Sequence, residues 1–246
     1  MIQKGSKNNM IVEVTGDMAC YTVPALKATR VTYPVPTPSA IEGMLKCIHW
    51  KPAFDYIIDE IVVMNPIETI SFSINEVSEQ VSTANVSTAM KKNSYLTVDT
   101  STHIMRSCMV LRNVRYVIKF RIELTGYENN KTDSEIKRKH YEMIERRLKN
   151  QQFHSTPYLG CRDFLVKEMK WRDSVPYDEV DESLKGTKEL GFMLYGIKYP
   201  IPDKGTYNKE TVNFNSKDCP AIPIYYKPVM VDGVIDVERY RGTCVC

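Results

Sequence analysis

The segment YVIKFRIELT (116–125) constrains the fold more than any other part of the chain. Every second residue from Tyr116 to Leu124 is apolar, and the residues between them are mostly charged. Successive side chains of a strand point to opposite faces, so this pattern predicts a strand with one face in the core and one in solvent. Such a strand belongs in an antiparallel sheet that is covered on one side.

Two segments with helical periodicity can supply the cover. The first, TPSAIEGMLKCIHWKP (37–52), has Thr37 as a capping residue, a proline at the first helical position and an apolar stripe. The second, DSEIKRKHYEMIERRLKN (133–150), has Asp133 or Ser134 as its cap and an apolar arc that includes His140. We expect both helices to pack on the sheet.

The order of the elements predicts an α+β protein. Strands are expected at 11–16, within 58–67, at 116–125 and at 161–169. With the two helices they give the order strand, helix, strand, strand, helix, strand of a ferredoxin-like (RRM-like) domain. The predicted domains are a ferredoxin-like domain at 1–170, with an insertion at 68–112, and a small antiparallel β-rich C-terminal domain at 171–246.

Two of these regions carry more specific expectations. The insertion is polar and has no sustained periodicity, so it is either a hairpin or a loop ordered by a partner. In the C-terminal region, Asp232-Gly233 within VMVDGVIDV (229–237) predicts a two-residue hairpin turn.

Charge is spread unevenly along the chain. The net charge is +3, but residues 101–150 contain 12 Lys and Arg against 6 Asp and Glu. A polyanion is one partner that fits this distribution, and a charged surface without a ligand is the alternative. The third strand lacks the aromatic signature by which RNA-recognition domains stack bases.

Cofactor, metal and membrane signals are absent from the sequence. The seven cysteines include no C-x-x-C pair, and no glycine-rich dinucleotide fingerprint occurs, so we expect no metal and no cofactor. The chain contains no apolar run of about 18 residues, and its first residues do not resemble a signal peptide. These features predict a cytoplasmic protein with no membrane partner and with free thiols.

The stretch KRKHYEMIERR (137–147) holds the first candidate for chemistry. Cleaving RNA without a metal needs a base, an acid and a cation near the phosphate, and Lys139 with His140 supplies two of these. An ordinary solvated helix face is the alternative. His49, in the last turn of the first helix, is either a partner or a dipole-compensating histidine. Cys161 with His154 is a third possibility, a thiol hydrolase.

A resemblance adds to this reading. The sequence resembles the Cas-five family of type I-C CRISPR systems over about residues 11–237. The segments that carry the resemblance are GDMACYTVPALKATRVTYPVPTPSAIEGMLKCIHWKPAF, VLRNVRYVIKF, KHYEMIERRL, PYLGCRDF, GTKELGFMLYGI and MVDGVIDV.

The resemblance implies a function and a set of partners. A member of this family is expected to cut CRISPR repeat RNA at the base of its hairpin without a metal, leaving a 2′,3′-cyclic phosphate and a 5′-hydroxyl. It then remains on the 5′ handle of the guide RNA beside the large and backbone subunits of the interference complex. We expect a monomer when the protein is free. A subunit that binds the handle without cutting is the alternative.

The resemblance also places residues. The resemblance implies three catalytic positions: the family's Lys-His matches Lys139 and His140, and the third, a tyrosine before Trp-Lys-Pro in the family, is His49 here. A histidine can replace tyrosine as acid or base, with a pKa nearer neutrality. Predicted phosphate contacts, chosen by charge and proximity to matched motifs, are Lys27, Arg30, Lys51, Arg112, Arg138 and Arg162.

Overall fold

The computed structural model describes residues 9–26, 29–77, 81–96, 103–127, 132–198 and 222–243. In chain order the elements are β1 (Met10–Ala19), β2 (Arg30–Val31), α1 (Pro38–Lys46), β3 (Phe54–Val63), β4 (Glu68–Val77), α2 (Thr83–Lys92), β5 (His103–Leu124), α3 (Asp133–Lys149), β6 (Glu168–Arg172), β7 (Thr187–Glu189), β8 (Met193–Lys198), β9 (Ile222–Tyr226), β10 (Val229–Val231) and β11 (Val234–Asp236). Within these ranges, no helix is both long and apolar enough to cross a bilayer.

The centre of the fold is one large, mostly antiparallel sheet. Its strand order is β6-β1-β5-β3-β11-β10-β7, with β2 and β4 also paired to β5. The short β2 runs parallel to β5, and β8 and β9 form a separate two-stranded sheet. The predicted α+β class is therefore confirmed as a mixed structure with a large antiparallel sheet and few helices.

The alternation in β5 has the expected result on one face. Tyr116, Ile118, Phe120 and Ile122 are buried and pack in the main core with residues of α1 and α3. The opposite face is less open than predicted, because Val117 is also fully buried. It packs in a small cluster with residues of β3 and with the segment that follows β6.

Both predicted helices form, with small differences at their ends. Thr37 caps α1, accepting a hydrogen bond from the Ala40 N–H. The cap of α3 is Thr132, whose N–H donates to the Glu135 side chain, and not Asp133 or Ser134. α1 ends at Lys46, so His49 lies beyond the helix and not in its last turn.

The insertion predicted at 68–112 contains a long β-hairpin. β4 pairs with the first half of β5 from Glu68 opposite Arg112 to Val77 opposite His103, and α2 lies between the two strands. Of the two alternatives, the hairpin is the one observed. The first residues of β5 are exposed on both faces, which explains why the sequence showed no alternation there.

The fourth strand lies later than predicted. Residues 161–166 form turns, with the Phe164 N–H donating to the Cys161 carbonyl, and β6 begins only at Glu168.

The predicted turn at Asp232-Gly233 is confirmed between β10 and β11, and both residues have positive φ, 50° and 79°. β11 pairs with β3, so the C-terminal strands extend the main sheet. The domain boundary at 170 stays a prediction.

Candidate active site

His49 and His140 meet although 91 positions separate them in the sequence. His49 Nε2 lies 3.0 Å from His140 Nδ1, and the ring centroids are 5.3 Å apart. α1 and the turn after it carry His49, and the apolar arc of α3 carries His140. The turn after α1 places one imidazole and α3 places the other, so the contact follows from how the two helices pack on the sheet.

The environment of the pair is closed. His49 is 4% exposed and His140 is 1% exposed. The ring of Phe54 lies against both histidines, with its centroid 4.7 Å from that of His140 and 5.5 Å from that of His49. His49 is therefore buried and not at the surface, and the position of His140 inside the apolar arc is confirmed.

Hydrogen bonds fix the backbone on either side of His49. The Tyr56 hydroxyl donates to the His49 carbonyl oxygen at 2.6 Å. Arg147 Nη1 donates to the Ile48 carbonyl oxygen, also at 2.6 Å. These two bonds hold the turn that presents His49 against strand β3 and helix α3.

Positive charge and burial together determine the protonation of His49. Burial is the main cause that lowers its pKa, to about 4, and electrostatic interactions with Arg147, His140, Lys51 and Lys139 act in the same direction. His49 is therefore uncharged at neutral pH. A hydrogen bond between two imidazoles needs one N–H and one lone pair, which a neutral histidine can supply in either tautomer.

Lys139 lies on the solvent side of the same helix turn. It is exposed, and with Arg138 and Arg146 it lines a shallow recess on the outer surface of α3, together with Glu135, Glu142 and Met143. Lys139 thus offers a cation to solvent while the adjacent His140 points inward. The arrangement combines a covered pair of histidines with an exposed positive charge.

The predicted phosphate contacts fall into two groups. Lys51 and Arg138 are exposed near the histidines, and Arg138 makes a long ion pair of 3.9 Å with Glu142. Arg30, Arg112 and Arg162 lie instead around the β4–β5 hairpin.

Two arginines of the second group are already paired. Arg30 bonds Asp163 at 2.8 Å and also Glu76, and Arg112 bonds Glu68 at 2.7 Å. Arg162 is exposed. Lys27 lies outside the described residues.

Sequence reasoning missed three residues of the site: Phe54, Tyr56 and Arg147. One signal could have found Arg147, because it follows His140 by seven residues and so shares its helix face. Phe54 and Tyr56 share the buried face of β3, but only the packing shows that this face meets His140.

The arrangement for a thiol hydrolase is not assembled. The His154 N–H donates to the Cys47 carbonyl oxygen at 2.8 Å, whereas Cys161 lies 3.4 Å from the Thr22 hydroxyl. None of the hydrogen bonds between described residues joins Cys161 to His154. Among these residues there is also no group of three His, Cys, Asp or Glu side chains that could hold a metal ion.

Comparison with known proteins identifies relatives over nearly the whole chain. The sequence model of a family described as CRISPR-associated protein (Cas_Cas5) matches residues 10–238. The chain is 36% identical to a CRISPR pre-crRNA endoribonuclease Cas5d of Mannheimia succiniciproducens, covering 95% of this chain and 96% of the relative. It is 35% identical to the protein of the same name from Thermus thermophilus, covering 94% and 92%.

Solved structures share the fold. A crystal structure of a CRISPR-associated protein superposes with a TM-score of 0.62 at 23% identity, covering 93% of this chain and 90% of the other. A functionally uncharacterized protein from Streptococcus mutans superposes with a TM-score of 0.60 at 22% identity, covering 92% and 90%. At these identities the likeness concerns the fold alone.

Proposed function

The chain belongs to the Cas5 family of CRISPR-associated proteins of type I-C, and from this premise we propose that it is the endoribonuclease that processes CRISPR precursor RNA. Two relatives that carry this activity in their names match it over more than nine-tenths of its length. The observation that carries the proposal is the 3.0 Å contact between His49 and His140, two residues that the family resemblance had placed in one site.

The proposed chemistry is proton transfer at one phosphodiester of the repeat. A neutral imidazole takes the proton of the 2′-hydroxyl, and the 2′-oxygen attacks the adjacent phosphorus. The 5′-oxygen leaves with a proton from the second group of the pair. The products are a 2′,3′-cyclic phosphate and a 5′-hydroxyl, and no metal takes part.

Lys139 has a separate role in this proposal. Its exposed ammonium lies beside His140 in the sequence and faces the solvent side of α3. We assign it to the negative charge that develops on the phosphorane. Arg138 and Lys51 contact neighbouring phosphates, while Arg30, Arg112 and Arg162 contact the RNA along the hairpin side of the sheet.

The closed state of the pair adds a requirement. Both imidazoles are almost fully covered, so a phosphate bound at Lys139 reaches them only after the turn carrying His49 moves. RNA binding is the event that opens this turn. The same burial favours the second candidate function, a subunit that holds the 5′ handle of the guide RNA without cutting it.

The proposed location, partners and domains of the protein are those of the family. We propose that the protein works in the cytoplasm and stays on the 5′ handle beside the large and backbone subunits of the interference complex. The order β6-β1-β5-β3 with α1 and α3 between the strands supports a ferredoxin-like domain over 1–170. The β-rich remainder, 171–246, is then the second domain.

A cleavage assay tests the function. The protein is incubated with its repeat hairpin RNA in excess EDTA, beside a substrate with a 2′-deoxyribose at the cut. We expect one cut, blocked by the deoxy substitution, with a cyclic phosphate on the upstream product. Tight binding without a cut would leave the handle-binding subunit as the function. Cleavage of the deoxy substrate would contradict attack by the 2′-hydroxyl.

A further inference from the structure

Three cysteine side chains gather where β1 ends. Cys20 follows β1 directly and is fully buried, Cys108 lies on β5 and is 1% exposed, and Cys161 lies in the loop before β6 and is half-buried. Cys20 and Cys108 share a small apolar cluster with Val110 and Phe164, and Cys161 packs at its edge. This cluster is separate from the histidine pair.

Cys20 and Cys161 are the pair that the geometry brings together. The Thr22 hydroxyl lies 3.8 Å from Cys20 Sγ and 3.4 Å from Cys161 Sγ, so both sulfur atoms lie on one hydroxyl group. Both cysteines also belong to one apolar cluster, in which Cys161 packs against the buried residues that include Cys20. Cys108 points elsewhere, its thiol donating to the Arg106 carbonyl oxygen at 3.9 Å.

The backbone holds the two thiols in place. The Cys20 N–H donates to the Leu159 carbonyl oxygen at 3.0 Å. Gly160 has a φ of +84°, and a Cβ there would lie 2.0 Å from the Cys20 carbonyl oxygen. Only glycine permits this approach, because any side chain would collide with the backbone of Cys20. The loop that carries Cys161 is thus pressed against Cys20.

The surroundings of Cys161 favour its thiolate. The neighbouring Cys20 thiol, as a donor to the thiolate, is the main cause that lowers the Cys161 pKa, and the Thr22 hydroxyl and the Arg30 charge act in the same direction. Burial and the Asp163 carboxylate oppose them. The pKa of the buried Cys20 thiol is raised, so the proton stays on Cys20.

We propose that Cys161 and Cys20 form a dithiol site that reacts with hydroperoxides. The Cys161 thiolate attacks one oxygen of hydrogen peroxide, breaks the O–O bond and becomes a sulfenic acid, releasing hydroxide. The Cys20 thiol then attacks the sulfenic sulfur, and a disulfide and one water molecule form. Peroxide is the oxidant in this sequence, and a thiol reductant reverses the disulfide.

The site has the features of a redox-active pair and does not depend on the proposed RNA cleavage. Reactive cysteines combine thiolate character with partial access to solvent, and a neighbouring second thiol protects the sulfenic acid from further oxidation. Cys161 supplies the thiolate character and the access to solvent, and Cys20 is the neighbouring second thiol.

Peptide mapping tests the proposal on the intact protein. The folded protein is treated with hydrogen peroxide, its remaining thiols are blocked with N-ethylmaleimide, and it is digested with trypsin without reduction. Cys20, Cys108 and Cys161 fall in three different peptides, NNMIVEVTGDMACYTVPALK, SCMVLR and NQQFHSTPYLGCR. We expect the first and third peptides to be cross-linked, and reduction with dithiothreitol to release both.

Two variants serve as controls. Cys108→Ser is expected to form the same cross-link. Cys20→Ser removes the second thiol, so dimedone should trap a sulfenic acid at Cys161 in this variant and far less in the wild type. A cross-link from Cys161 to Cys108, or recovery of Cys161 with N-ethylmaleimide attached after peroxide treatment, would overturn the proposal.

Discussion

Two pairs of side chains from distant segments meet in this protein, and both include a group whose pKa is lowered. His49 contacts His140 in a closed part of the core, and Cys161 and Cys20 lie on either side of the Thr22 hydroxyl at a half-open edge. The deprotonated form of histidine is neutral, so burial and nearby positive charge both favour it. The deprotonated form of cysteine is an anion, so burial opposes it. The donor groups of Cys20 and Thr22 and the positive charge of Arg30 must together outweigh that cost.

The comparison shows how burial and nearby positive charge together can favour the deprotonated form of two different groups. A covered imidazole with arginine and lysine nearby becomes a neutral base. A thiol near an arginine becomes a thiolate only if it keeps contact with donors and some solvent. The degree of burial therefore decides which chemistry each pair can support, and the following predictions test the histidine half of this comparison.

The largest effect is expected for His140→Ala. It removes one member of the proton-transfer pair, and cleavage should fall by about 100- to 10,000-fold while hairpin affinity stays near the wild-type value. Single-turnover cleavage and a binding titration measure the two quantities. Ile144→Val, on the same buried face of α3, is the matched control and should cleave normally. If affinity falls in step with cleavage, His140 has a structural or contact role.

Lys139→Ala separates a catalytic cation from general positive charge. The loss of the cation that directly precedes His140 in the sequence should lower the cleavage rate roughly 100-fold. Lys137→Ala removes the same charge from the same helix and should weaken RNA binding slightly with little change in the rate at saturating RNA. Equal effects of the two substitutions would show that Lys139 acts only through the overall charge.

The pH dependence of stability tests the burial of His49. Its folded-state pKa of about 4 lies below the unfolded value of about 6.5. As the pH falls below 6.5, His49 binds a proton in the unfolded state but not in the folded state. The free energy of unfolding therefore decreases. Between pH 7 and pH 5 this loss is about 2 kcal/mol. Urea unfolding at several pH values measures the unfolding free energy of the wild type and of His49→Gln. An equal dependence of this free energy on pH in both proteins would contradict the account.

The smallest effect is expected for His49→Tyr. It restores the residue that the family has at this position, so cleavage should stay within about tenfold of the wild type, a change of about 1.4 kcal/mol in the barrier. Single-turnover rates measure it, with circular dichroism to establish folding. A folded but inactive variant would show that His49 is not equivalent to the family tyrosine.

Local patterns predicted much of this structure and long-range packing supplied the rest. The periodicity of α1, α3 and the second half of β5 indicated both the elements and their buried faces. The burial of His140 followed from its helical angle. The outer half of β5 could not be recognised, because it lies in an exposed hairpin where neither face is selected for apolar residues.

The sequence supplied candidate residues for the site but not their environment. The family resemblance placed His49, Lys139 and His140 together. The burial of His49 depends on Phe54 and on the turn held by Arg147 and Tyr56, which come from three different elements. Contacts of this kind arise from tertiary packing, and a single sequence carries no local signal for them.

One measurement tests the central claim most directly: the dependence of kcat/KM for repeat-hairpin cleavage on pH, in excess EDTA. This parameter reports the ionisation of the free enzyme. If the buried, neutral His49 takes part in the proton transfer, cleavage proceeds in EDTA and its acid limb lies near pH 4, where His49 gains a proton. An acid limb near the ordinary histidine value of about 6.5, or no cleavage until a metal is added, would contradict the account.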